Sequence, residues 1–92
     1  MEIEQFIEVL KGVYFQMCRK IEFCKNEPAH MLHVRLYYWE NPINVTISYN
    51  TIRKNVPVKV LDKFNNAVCK EYRYALQQRT TAILERGLYE IL

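Results

Sequence analysis

The sequence predicts an α+β domain of order α-β-β-α, with an antiparallel β-hairpin covered by an N-terminal helix and a long C-terminal helix. Three observations carry this expectation. Apolar residues recur at helical spacing through the first two dozen positions. Two strictly alternating runs flank an Asn-Pro turn near the centre. A second helical period begins at Pro57.

The first helix is expected over residues 2–24. Ile3, Ile7, Leu10, Tyr14, Met17, Ile21 and Cys24 are spaced by fours and threes and fall in one stripe, which Phe6, Val13 and Cys18 widen. Glu4, Gln5, Glu8, Arg19 and Glu22 lie opposite. Acids near the start and lysines near the end suit the helix dipole. Gly12 weakens the middle, and Asn26-Glu27-Pro28 ends the segment. Two strands follow. Leu32, Val34, Leu36 and Tyr38 share one face of the first, and His33, Arg35, Tyr37 and Trp39 share the other. After the turn at Glu40-Asn41-Pro42, Ile43, Val45, Ile47 and Tyr49 face inward, with Asn44, Thr46, Ser48 and Asn50 outward.

The last helix is expected from Pro57 to about Arg86, with Asn55 as N-cap. Leu61, Phe64, Val68, Tyr72, Ala75 and Leu76 form its apolar stripe. Beyond Gln78 that stripe changes, and the β-branched pair Thr80-Thr81 is a candidate break. Gly87 is a candidate C′ residue, leaving an apolar LYEIL tail. A third strand over Val56–Val60 is the alternative, and would give the element order of a double-stranded-RNA-binding domain. The paired lysines at the start of that family's last helix are absent, so no resemblance is drawn.

A chain of 92 residues with no linker, repeat or low-complexity stretch is one domain, residues 1–92. No apolar run approaches the length of a membrane span, and an acidic N-terminus does not read as a secretory signal. Three cysteines suit reduced thiols, so a cytoplasmic protein is expected and the sequon at Asn44 is coincidental. A net charge of +3 permits an acidic partner without requiring one.

Catalysis is not expected. Only two glycines occur, so there is no phosphate-cradling loop, and Ser48 is the one serine, in mid-strand. Cys69 lies on a helix flank rather than in a cleft. Cys18, Cys24, His30 and His33 offer zinc-type atoms at spacings unlike a compact knuckle, and core or strand roles account for them. Neither metal nor cofactor is expected.

Three surfaces remain. His33, Arg35, Tyr37 and Trp39 on the hairpin's outer face are of types common at protein-binding hot spots. Arg53, Lys54, Lys59, Lys63, Lys70 and Arg73 form a basic run that suits phosphates. Arg79, Ile83, Arg86, Leu88 and Tyr89 suit self-association, because a lone hairpin has two open edges and a long helix outruns it. The expected function is that of a small non-enzymatic protein that binds and inhibits another macromolecule, of the anti-CRISPR-like, anti-defence kind encoded by phages and mobile elements. A nucleic-acid-binding regulator is the alternative, and a homodimer is expected in either case.

Overall fold

The computed structural model describes the backbone of residues 1–91 and the side chains of residues 1–86. Its elements are α1 (Ile3–Tyr14), β1 (Lys20–Asn26), β2 (Met31–Tyr37), β3 (Ile43–Ser48), α2 (Tyr49–Lys54) and α3 (Pro57–Ile91). The α+β class and the two flanking helices are as expected; the order is not. The hairpin is a three-stranded antiparallel sheet, β1-β2-β3.

The extra strand comes from the second half of the expected first helix. α1 ends at Tyr14, whose carbonyl accepts from Met17 and Cys18 N–H at 3.0 and 3.2 Å. The following Lys20–Asn26 run fits both periods: Ile21 and Cys24 at helical spacing, Ile21 and Phe23 in alternation with Lys20 and Glu22. Pairing decides between them. β1 matches all seven residues of β2, from Lys20↔Tyr37 to Asn26↔Met31, which pairs the outer edge of β2 and turns Ile21 and Phe23 against the core. The β1–β2 turn places His30 at φ 52°, in the left-handed region, with its N–H on Glu27 O at 3.1 Å.

α1, α2 and α3 all contribute to a core on one face of the sheet. Phe6, Leu10, Leu32, Val34, Leu36, Ile52 and Val60 are fully enclosed, and Phe64 lies edge-on to Phe6 and Tyr14 at 5.9 and 5.8 Å. The inner face expected from alternation is as read: Leu32, Val34 and Leu36 with Ile43, Val45 and Ile47. Tyr14, wrapped by this core, donates its hydroxyl to Asn65 Oδ1, and burial pushes its ionisation well up.

Ser48 caps α2, accepting from Thr51 N–H at 3.1 Å. Asn55 is not the N-cap of α3. Its Nδ2 donates to Thr51 O at 2.9 Å, closing α2, and Pro57 is the first residue of α3. Val56–Val60 is therefore not a strand. α3 is continuous through Thr80-Thr81 and Gly87. Two threonines cost only tenths of a kcal/mol each, which the Gln, Arg, Ala, Leu and Glu residues around them offset. The LYEIL side chains lie outside the described residues.

At 1.5 Å per residue α3 is about 52 Å long. Among the described residues its last buried one is Val68 and its last half-buried one Ala75, so from Leu76 the helix projects beyond the core. The radius of gyration, 16.0 Å, exceeds the roughly 12 Å of a compact chain this size for the same reason.

Candidate protein-binding surfaces

The sheet's other face carries no helix. Its cross-strand rows are Lys20-Tyr37, Glu22-Arg35-Asn44, Cys24-His33-Thr46 and Asn26-Met31-Ser48. These side chains bond to one another. Tyr37 donates its hydroxyl to Glu22 Oε1 at 2.6 Å, Lys20 Nζ lies 3.4 Å from Glu22 Oε2 and 5.5 Å from the Tyr37 ring, and His33 Nδ1 is 3.0 Å from Thr46 Oγ1. The tyrosine hydrogen bond, then Lys20 and Arg35, hold the Glu22 carboxyl below its ordinary range, and the same bond raises Tyr37. This network is intact above the ordinary carboxylate range and is lost as pH falls through the lowered Glu22 value. Tyr37→Phe is expected to move the Glu22 titration upward, followed by carboxyl carbon NMR; an unmoved midpoint would show that the bond does not form in solution.

Trp39 lies at the margin of this face, lining a cleft of about 450 Å³ with Arg19, Lys20, Tyr37 and Glu40. β2 ends at Tyr37, and Tyr38 and Trp39 both turn toward α3. Trp39 stacks on Tyr72 at 5.1 Å and 25°, Tyr38 meets Tyr72 edge-on at 5.0 Å, and the Arg79 guanidinium lies 5.5 Å from the Trp39 ring. Tyr72 and Arg79 are two helical turns apart on one side of α3, and the indole fills the space between them. The surface expected from His33, Arg35, Tyr37 and Trp39 is thus divided. Three remain on the sheet, with Arg35 the exposed one, and the fourth is a clamp on α3 that still shares a cleft with Tyr37. The consecutive aromatics Tyr37, Tyr38 and Trp39 carried the signal, since strict alternation cannot bury such a run on one face.

The basic run is also divided. Lys59, Lys70 and Arg73 project from α3 and Lys54 from α2, all exposed and outside any salt bridge among the described residues. Arg53 lies over the Tyr49 ring at 5.5 Å. Lys63 instead lines a cleft of about 340 Å³ beside β3, with Val45, Ile47, Phe64 and Ala67. A second cleft of about 490 Å³ continues along the same side of α3, past Asn44, Glu71, Tyr74 and Gln78.

Past Ala75, α3 exposes Leu76, Ile83 and Leu84 at 42, 59 and 63%. At 100° per residue these and Thr80 fall within about 100° of the helix circumference. Arg73 lies on the same face one turn before Leu76, Arg86 lies to one side of it, and Glu71 and Glu85 lie on the opposite side. At its root is a further cleft lined by Met17, Tyr38, Val68, Cys69 and Tyr72. Of the residues expected to self-associate, Arg79 is held by Trp39, Ile83 and Arg86 are exposed, and Leu88 and Tyr89 lie outside the described residues.

No family model, curated protein or solved structure matches this chain.

The extra strand brings two of the four zinc-type residues together and leaves the other two apart from them. Cys24 and His33 are cross-strand partners on the outer face, His30 is in the turn, and Cys18 follows α1 with its Sγ 3.5 Å from Tyr14 O. Burial raises the Cys18 thiol. No helix of the described residues is long and apolar enough to cross a membrane.

Proposed function

We propose that this chain is a non-catalytic protein that binds and inhibits another protein, presenting the segment of α3 from Leu76 onward to an apolar groove of its partner. The observation that supports this reading is the exposure of Leu76, Ile83 and Leu84 on one side of a helix that projects beyond its own core. An amphipathic helix entering a groove uses this spacing of anchors. Arg73 on the apolar face and Arg86 beside it favour a groove rimmed by carboxylates. A small domain that acts by occupying a surface has the economy of the anti-defence inhibitors of phages and mobile elements, and that class is part of the proposal. Self-association into a homodimer is a further part.

Leu76→Asp and Ile83→Asp are each expected to weaken partner binding at least 30-fold, about 2 kcal/mol, with the thermal midpoint unchanged because neither side chain supports the core. The measurement compares wild type and variants in capture from nuclease-treated cell extract, then in titration of the captured protein. Undiminished binding by both variants would remove the overhang from the interface.

Nucleic-acid binding is the second reading, supported by the exposed Lys59, Lys70 and Arg73, which form no salt bridge among the described residues. It requires binding that weakens steeply with salt and disappears in Lys59→Glu/Lys70→Glu.

A further inference from the structure

We propose that the open edge of β3 is the seam of a two-fold homodimer, in which two β3 strands pair antiparallel about Thr46 and join the two sheets into one of six strands. This deepens the self-association part of the reading above and is separate from partner docking on the α3 overhang.

The backbone phase of β3 identifies the groups concerned. Tyr49 N–H bonds His30 O at 2.9 Å, one step beyond the Met31↔Ser48 pair. In an antiparallel ladder, hydrogen-bonded and non-bonded pairs alternate. Ile47, Val45 and Ile43 therefore turn their N–H and C=O groups to β2, and Asn44, Thr46 and Ser48 turn theirs to the open edge. Among the described residues, no protein group bonds the Asn44 or Thr46 backbone from that side.

The sheet's two edges are built differently. β1 carries Lys20, Glu22 and Lys25, and Lys25 points to the inner face, where it meets Glu4 of α1. An inward-facing charge on an edge strand opposes pairing with another chain. β3, Ile-Asn-Val-Thr-Ile-Ser, holds no charge and no proline. Neutrality is also what two-fold pairing requires, because a residue near the axis faces its own copy.

The helix beside β3 carries the matching pattern, and this identifies a second copy as the occupant. Lys63 and Ala67 line the cleft at the Ser48 end of β3, and Glu71 lines the one at Asn44. The strand descends from Ser48 to Asn44 over about 13 Å while the helix climbs from Lys63 to Glu71 over about 12 Å. The midpoints, Thr46 and Ala67, thus lie alongside. A two-fold axis there places Asn44 opposite Ser48 of the second copy and Lys63 opposite its Glu71. The small Ala67 sits where the helices come closest. The overhang from Leu76 onward runs past the start of the other α3 and stays clear of the seam.

Sedimentation equilibrium from about 1 to 100 µM tests this. Wild type is expected at twice the 11.1 kDa of one chain. Thr46→Pro removes an outward N–H while keeping the bonds to β2, and is expected to be a folded monomer; Thr46→Lys, a charge at the axis, gives the same result without a backbone change. Lys63→Glu is expected to weaken the dimer at least tenfold, and Lys63→Glu/Glu71→Lys to restore it. A wild type that stays monomeric throughout would overturn the proposal. So would a dimer that survives both Thr46 variants, or a charge-swapped double variant as weak as the single one. A dimer lost in Ile83→Asp and kept in Thr46→Lys would place self-association on the overhang instead. Loss of partner binding with the dimer intact bears only on the proposed function.

Discussion

Phe64→Ala is expected to destabilise the chain by about 3–5 kcal/mol, the largest effect of any single substitution considered for this protein. Phe64 is 1% exposed and is the point where α3 meets α1, edge-on to both Phe6 and Tyr14. Truncation removes the ring's burial and both aromatic contacts, and leaves a cavity that a sheet on one side and a helix on the other cannot close. A domain of this size has about 5–15 kcal/mol in total, so this loss is a third or more of it. In urea, with a slope of about 1–1.5 kcal/mol per M, the midpoint should fall by 2 M or more. A fall below about 0.5 M would mean that α1 and α3 do not share a core through this ring.

Trp39→Ala is expected to cost about 2–3 kcal/mol, less than a fully enclosed ring because the indole is only half-buried. Its second effect is more particular. Trp39 is the last side chain of the sheet region that grips α3, between Tyr72 and Arg79. Without it, the helix beyond Ala75 keeps only its own propensity, and a segment of some fifteen residues is marginal alone in water. Circular dichroism should therefore lose helix before the sheet unfolds, in two steps where wild type shows one. A single coincident transition in the variant would mean that the overhang is helical without the clamp.

Much of this fold was legible in the sequence, for reasons that differ by element. β2 and β3 alternate strictly, and a pattern of period two with a polar partner face admits one reading. α3 shows its period through Leu61, Phe64, Val68 and Tyr72, and Pro57 marks its start. β1 was not legible, because Ile21, Phe23 and Cys24 satisfy both periods and only the long-range match to β2 selects between them. That choice moved the order from α-β-β-α to α-β-β-β-α-α, and it set Cys24 across from His33. The surface residues fared unevenly for the same kind of reason. Arg35 and Tyr37 follow from strand parity. Trp39 lies just past the strand's last paired residue, where parity no longer applies and the position of α3 decides. The β3 edge had no local signature at all. It became visible only when β1, not β3, proved to hold the charged residues of the sheet's other margin.

The clamp has one more consequence. Trp39 is the chain's single tryptophan, stacked on a tyrosine and beside a guanidinium. The protein thus carries one indole, which can be excited apart from its seven tyrosines, seated where the overhang joins the body. Its emission should therefore report, without a label, on any ligand that bends or frees that helix.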